Sequence, residues 1–155
     1  MGENGNMILI SYIEESKIML TTPFLLFDGN CTEAMTFYQN CLGGELTLTK
    51  VSDTPMKVQY PPEKYNRIIY AQLKNDAVDI SAADWLHPIR MPKQGNTVAI
   101  HITGKDNDVK PVFDKLSEGA PKELLDELRE MPFGSYGHLA DKFGVHWFFK
   151  GDKKD

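Results

Sequence analysis

Cysteine is scarce in this chain: Cys31 and Cys41 are the only two among 155 residues. Both fall on one predicted helix, which sets them roughly 15 Å apart along its axis at 1.5 Å per residue. A disulfide needs Cα atoms within about 7 Å, so they do not bridge each other and nothing requires an oxidising compartment. Long hydrophobic runs are absent too. Met7 to Ile13 is apolar, but Glu14, Glu15 and Lys17 close it, and a membrane span needs about 20 apolar residues. No basic segment precedes it and no small-residue cleavage site follows it. Residues 1–20 are therefore read as an extension, with room for an extra edge strand, and the expected location is the cytoplasm. Basic charge is also in deficit, with 17 Lys and Arg against 22 Asp and Glu for a net charge of −5. A dedicated nucleic-acid binder needs a basic face to displace counterions, and here the lysines are interleaved with carboxylates. No phosphate loop, nucleophile elbow or zinc-type cysteine cluster is present.

What is present suits one domain, since 155 residues match the usual length of roughly 100–200. A hydrophobic fraction of 41% allows a sizeable core. The clearest local signal begins at Asn30. This residue suits a helix N-cap, and Glu33 stands where a capping box would place its partner. Behind it Ala34, Phe37, Tyr38, Cys41 and Leu42 follow the helical spacing of one apolar stripe, and Gly43-Gly44 supplies a left-handed stop. Pro23 to Phe27 before it reads as a buried strand. Leu46 to Val51 alternates as a strand should, Ser52 to Asn66 reads as a long loop, and Ile68–Leu73 and Ala77–Ala82 as two further strands.

The second half repeats this order. Thr97 to Gly104 is a strand ending in glycine, and Val109, Val112, Phe113 and Leu116 give the next helical stripe. Pro111 is placed in the first turn, where no backbone donor is needed. Val145 to Phe149 is the final strand. Phe24, Gly29 and Tyr38 fall on Ala99, Gly104 and Phe113 with one constant offset, while Tyr70 to Leu73 falls on Tyr136 to Leu139 with a shorter one. A repeat of this length marks a duplicated supersecondary unit rather than a solenoid. Pro121 to Glu130 has the composition of a helix, yet its place in the repeat predicts a strand.

The run Pro23-Phe24-Leu25-Leu26-Phe27-Asp28-Gly29-Asn30-Cys31-Thr32-Glu33-Ala34, then Phe37-Tyr38 and Gly43-Gly44-Glu45, resembles the opening of the PhnB-like family. That family lies within the vicinal oxygen chelate superfamily of glyoxalase and bleomycin-resistance proteins, and often carries a 3-demethylubiquinone methyltransferase label. Phe133-Gly134-Ser135-Tyr136-Gly137 with Asp141-Lys142-Phe143-Gly144-Val145-His146-Trp147 is similar to its C-terminal signature, although Phe133 stands where the family has tryptophan. The resemblance covers about residues 20–150. It implies an α+β fold of two tandem βαβββ modules, residues 21–84 and 96–150, joined by a linker over 85–95 and followed by a tail over 151–155. Each module would curl into half a cup around a cavity. The resemblance also suggests a homodimer, in accord with the need of edge strands for a partner or cover. A methyltransferase is not expected, because an adenosyl-cofactor fold needs a glycine-rich turn between strand and helix.

Enzymes of the superfamily hold a divalent metal with His, Glu or Gln and leave positions open for substrate oxygens. The matching positions here are Thr22, Thr97 and Phe148, none of which is expected to ligate a metal. No cofactor is therefore expected; if a divalent metal is held, His101 and His146 are the fallback ligands. The candidate ligand-binding residues are Trp147, Tyr136, His101, His138, Gln72, Tyr70 and Asp84, with the ligand inside the second module against Trp147 or Tyr136. Reversing the register of the last strand would put His146 there in place of Trp147, with Phe148 beside it. Three functions compete: a metal-free protein binding a small aromatic or amphipathic molecule, a metal-dependent lyase, isomerase or dioxygenase, and an interaction or regulatory module with a filled cavity. The first is the primary reading.

Overall fold

The computed structural model describes residues 19–153. The extra edge strand considered within residues 1–18 lies outside the described residues. Strand β1 (Phe24–Phe27) is followed by helix α1 (Cys31–Leu42), β2 (Glu45–Lys50), β3 (Ile68–Lys74) and β4 (Asp79–Asp84). The second half gives β5 (Ile100–Lys105), α2 (Asp106–Leu116), β6 (Leu125–Met131), β7 (Gly134–Ala140) and β8 (His146–Asp152). Each set forms one four-stranded sheet, in the orders β1-β4-β3-β2 and β5-β8-β7-β6. In each, the strand before the helix pairs in parallel with the last strand, and the other pairings are antiparallel. This is an α+β fold of two βαβββ modules.

The apolar stripe of α1 is buried as its spacing predicts, with Ala34, Phe37, Tyr38 and Cys41 inside and Met35 joining them. Gly43 ends the helix at φ 73°, and its N–H donates to the Gln39 carbonyl. The start of the helix differs from expectation: the Asn30 side chain makes no capping hydrogen bond. Asp84, at the far end of β4, caps instead. Its Oδ1 accepts from Gly29 N at 2.8 Å and Cys31 N at 3.0 Å, and its Oδ2 accepts from Ile68 N at 2.9 Å. A carboxylate accepting several backbone donors at a helix N-terminus is favoured by both hydrogen bonding and the helix dipole.

Pro111 also differs from expectation. The helix begins at Asp106, so the proline is its sixth residue, inside the helix rather than in the first turn. The missing N–H would have bonded to the carbonyl of Asn107, a solvent-exposed residue, so water can satisfy that oxygen. The helix-like composition of Pro121 to Glu130 is overridden by tertiary pairing: after a short 3-10 turn, β6 pairs with β7 across a bulge between Asp126 and Arg129. Leu125 and Leu128 on this strand pack against the core. Gly137 of β7 makes that possible, because an added Cβ would lie 2.9 Å from Leu128 and 3.2 Å from Phe113. The long loop of residues 52–66 is there, tightened by 3-10 turns.

The two modules share one core. Tyr38 of α1 meets Trp147 of β8 with ring centroids 5.4 Å apart, and Phe27 and Phe37 both contact Phe143 in the β7–β8 turn. Asp141, only 1% exposed, holds this junction. Its Oδ2 accepts from Tyr38 Oη at 2.7 Å and Trp147 Nε1 at 2.8 Å, while Oδ1 accepts from Phe143 N and Val145 N. A buried carboxylate is costly unless its lone pairs are occupied; these four donors occupy them. Among the described residues, no helix is long and apolar enough to cross a membrane.

Candidate functional site

Alternation along the strands separates a core face, carrying the helices, from an opposite concave face. On β8, Trp147 and Phe149 are fully buried on the core side, Phe149 against Phe113 of α2 at 5.0 Å. His146, Phe148 and Lys150 are half-buried on the concave side. Cross-strand register adds Tyr136 and His138 from β7 and His101 from β5 to that face. Trp147 therefore does not line the cup, and the reversed register, with His146 and Phe148 inside it, is the one that forms. This register buries the two apolar rings rather than His146 and Lys150, and the Asp141 carboxylate takes the indole N–H on that side.

Asp84 leaves the predicted site as well, since all its hydrogen bonds cap α1 and β3 inside the protein. Tyr70 and Gln72 lie on the concave face of the other sheet, where Tyr70 Oη bonds Ser81 Oγ at 3.1 Å and Gln72 Nε2 donates to Asp79 at 3.0 Å. Phe24 and Leu26 share that face and are 51% and 45% exposed, a degree of exposure that marks an unpartnered apolar patch. Sequence reasoning missed these two, because a short apolar strand gives no sign of which alternate residues face outward.

Between β1 of the first module and β5 with the start of β8 of the second, a groove of about 1110 Å³ opens, and Tyr70, Gln72, Tyr136, His138 and Phe148 are not among its lining. Phe24, Leu26 and Asp28 form one wall, His101 and His146 the other, and Lys93 and Gln94 of the linker close one end. Gln94 is anchored by its Nε2 donating to the Phe143 carbonyl at 2.6 Å. The linker's part in the groove was not apparent from the sequence, where residues 85–95 carry only turn-forming composition.

Behind the groove wall, His138 Nε2 and His146 Nδ1 stand 3.1 Å apart in a hydrogen bond whose direction depends on the tautomers. Phe148 lies 4.4 Å from His138 and 6.0 Å from Tyr136 between ring centroids. Burial first, then the neighbouring His146, holds His138 below its ordinary range, against an opposite pull from Asp126. The unfolded chain then binds the proton more readily than the folded one. Stability from this group is complete above pH 6.5, the ordinary histidine value, and declines as the pH falls through the lowered folded value. Thermal unfolding from pH 8 to 5 is expected to show a steeper acid decline for the native protein than for His138→Gln. Parallel curves would show that the shift is absent.

The thiols are not nucleophiles here. Burial and the nearby Asp84 push Cys31 up to about 12, and burial pushes Cys41 up to about 11. Metal chemistry also finds little support in the donor set. Thr22 and Thr97 are exposed and lie outside β1 and β5, and Phe148 offers only a ring. Among the described residues no three His, Cys, Asp or Glu side chains gather as ligands would. The residues present do not fit the metal centre of the superfamily's enzymes.

The model of the 3-demethylubiquinone-9 3-methyltransferase family matches residues 19–149. The chain belongs to this family. Protein YjdN of Escherichia coli K12 is 28% identical over 142 residues, covering 83% of this chain and 92% of that protein. The crystal structure of PA1353 from Pseudomonas aeruginosa superposes with a TM-score of 0.76 at 26% identity, covering 88% of this chain and all of the other. The putative 3-demethylubiquinone-9 3-methyltransferase, PhnB protein, from Bacillus cereus gives a TM-score of 0.67 at 23% identity, with coverage of 88% and 100%. A glyoxylase/bleomycin resistance protein/dioxygenase domain from Frankia shares the fold, with a TM-score of 0.58 at 12% identity over 87% of this chain and 98% of that one. The family that the opening and closing signatures resemble is thus the one whose model matches, and the Frankia domain shares its fold.

Proposed function

We propose that this PhnB-like chain is a metal-free, cytoplasmic small-molecule-binding protein. The observation that carries the reading is the groove between the two modules, with an apolar wall at Phe24 and Leu26 facing imidazoles at His101 and His146. Its volume of about 1110 Å³ matches or exceeds the roughly 300–1,000 Å³ of ordinary ligand sites. A few polar groups on a largely apolar surface are what such a site uses to orient a ligand. A space of this size also speaks against a vestigial cavity filled by its own side chains. The family's methyltransferase label finds no counterpart among the described residues, where both sheets are mixed and no parallel sheet presents a glycine-rich loop to a cofactor.

Aromatic fragments are expected to raise the thermal midpoint of the native protein, and Leu26→Lys in the groove wall to abolish the shift. Elemental analysis of protein purified without a histidine tag should find no stoichiometric zinc, nickel, manganese or iron. About one metal per chain would instead favour the lyase, isomerase or dioxygenase reading, and an unshifted midpoint with every fragment would favour the interaction module. A homodimer forms part of this proposal, supported by β2 and β6 at the edges of the two sheets, which need a partner or a cover. Sedimentation at twice the chain mass of 17.5 kDa is the expected result.

A further inference from the structure

We infer that the apolar run from Met7 to Ile13 docks in the groove as an extra strand, antiparallel to β1 of its own chain. This goes beyond the small-molecule reading and does not depend on it.

Strand β1 ends its sheet, with β4 on one side and the groove on the other. The Pro23 and Phe27 carbonyls accept from Ser81 N and Trp85 N, so Leu25 and Phe27 turn their backbone groups toward β4. Alternation then turns the N–H and C=O of Phe24 and Leu26 toward the groove. No backbone group among the described residues pairs with them there. Their side chains are 51% and 45% exposed, and Val98, which also lines the groove, is 81% exposed. A free strand edge bordered by exposed apolar side chains is a template for one more strand.

The chain carries such a strand just upstream. Met7-Ile8-Leu9-Ile10-Ser11-Tyr12-Ile13 is apolar in both alternating sets, with Ser11 the one polar member. Ile8, Ile10 and Tyr12 fall on one side and Met7, Leu9 and Ile13 on the other, as suits a strand covered on both faces. Ten residues, 14–23, separate this run from β1, and Glu14, Glu15 and Lys17 among them suit a loop in water. That length closes a hairpin, whereas a parallel neighbour needs a crossover of about a dozen residues or more, so the added strand is antiparallel. Tethering favours the chain's own segment over a second copy's, through an effective concentration on the order of millimolar. Setting Tyr12 opposite Phe24 brings Ile10 opposite Leu26, which makes one aromatic and one aliphatic cross-strand pair.

Hydrogen exchange followed by NMR on the full chain tests this, with Ile10→Asp as the variant that puts a charge in the docked strand. The Phe24 and Leu26 amides of the native protein should exchange at least about tenfold more slowly than those of the variant, the factor one net backbone hydrogen bond supplies. The Leu25 and Phe27 amides, turned toward β4, should be equally slow in both and report an intact sheet. A small molecule in the groove competes with the segment, so 2-naphthol should bind Ile10→Asp several-fold more tightly in calorimetric titration. A full-chain variant with Ile10→Cys and Leu26→Cys should form its disulfide within one chain, because opposed residues of such a pair have Cα atoms about 5.5 Å apart. Equal exchange of the Phe24 and Leu26 amides in native protein and Ile10→Asp would overturn the inference, and 2-naphthol binding would then leave the small-molecule reading standing. A disulfide found only between chains would give the groove to a second copy's segment and overturn the intrachain placement. Slowed amides with no 2-naphthol bound to either protein would sustain the docked strand and overturn the small-molecule reading.

Discussion

Asp141→Ala is expected to lower the unfolding free energy by about 4 kcal/mol, because it strips the acceptor from a buried set of neutral donors. The carboxylate accepts from four donors on three parts of the chain: Tyr38 Oη, Trp147 Nε1, Phe143 N and Val145 N. Alanine leaves all four without their acceptor at a site that is 1% exposed, and buried unpaired donors cost about 1–3 kcal/mol each when no water reaches them. Partial relaxation and water entry keep the total below the sum. Tyr38→Phe removes one donor and leaves the carboxylate bonded to the others, so it should cost only about 1–2 kcal/mol. Urea unfolding followed by both fluorescence and circular dichroism checks the pair. A loss under about 1 kcal/mol for the alanine variant would mean that Asp141 does not hold the two modules together.

The second large effect is expected at Asp84. Its alanine variant should lose about 3 kcal/mol, combining a lost helix cap worth about 1 kcal/mol with the Ile68 N–H left without an acceptor, at about 1–3 kcal/mol. Asp84→Asn should recover about half, because its single carbonyl oxygen can serve the Gly29 and Cys31 donors while its amide N–H₂ faces the Ile68 N–H. Ligand affinity is the discriminating readout. Because the carboxylate points into the α1 N-terminus, fragment binding to the folded variant should match the native protein. A variant of native stability that no longer binds fragments would return Asp84 to the ligand site.

These two aspartates show where sequence reasoning stops. Asp84 was read as a polar group of the cavity because it closes the first module, and Asn30 with Glu33 was read as a self-sufficient cap. Local spacing gives a capping box the correct offsets, but it cannot reveal a carboxylate arriving from 54 positions away that binds the same donors better. Asp141 sits in a turn, where aspartate is common for local reasons. Its bond to Tyr38, 103 residues away, leaves no local trace.

The apolar stripe of α1, the left-handed stop at Gly43 and the order of strands and helices were determined by the sequence itself, because side-chain periodicity and glycine's freedom act over a few neighbouring residues. The pattern of Val145 to Phe149 likewise guaranteed that large aromatics would lie on both faces of the last strand. Which aromatic faces the cup was decided only in the tertiary structure. The register that forms buries Trp147 and Phe149, where the other would bury His146, Phe148 and Lys150. The indole N–H adds to that preference, because the buried Asp141 carboxylate takes it on one side of the strand only. The same holds for β6, whose helix-forming residues extend because a paired strand in this place satisfies β7's backbone and buries Leu125 and Leu128. Local propensity amounts to tenths of a kcal/mol per residue, and long-range pairing and burial outweigh it.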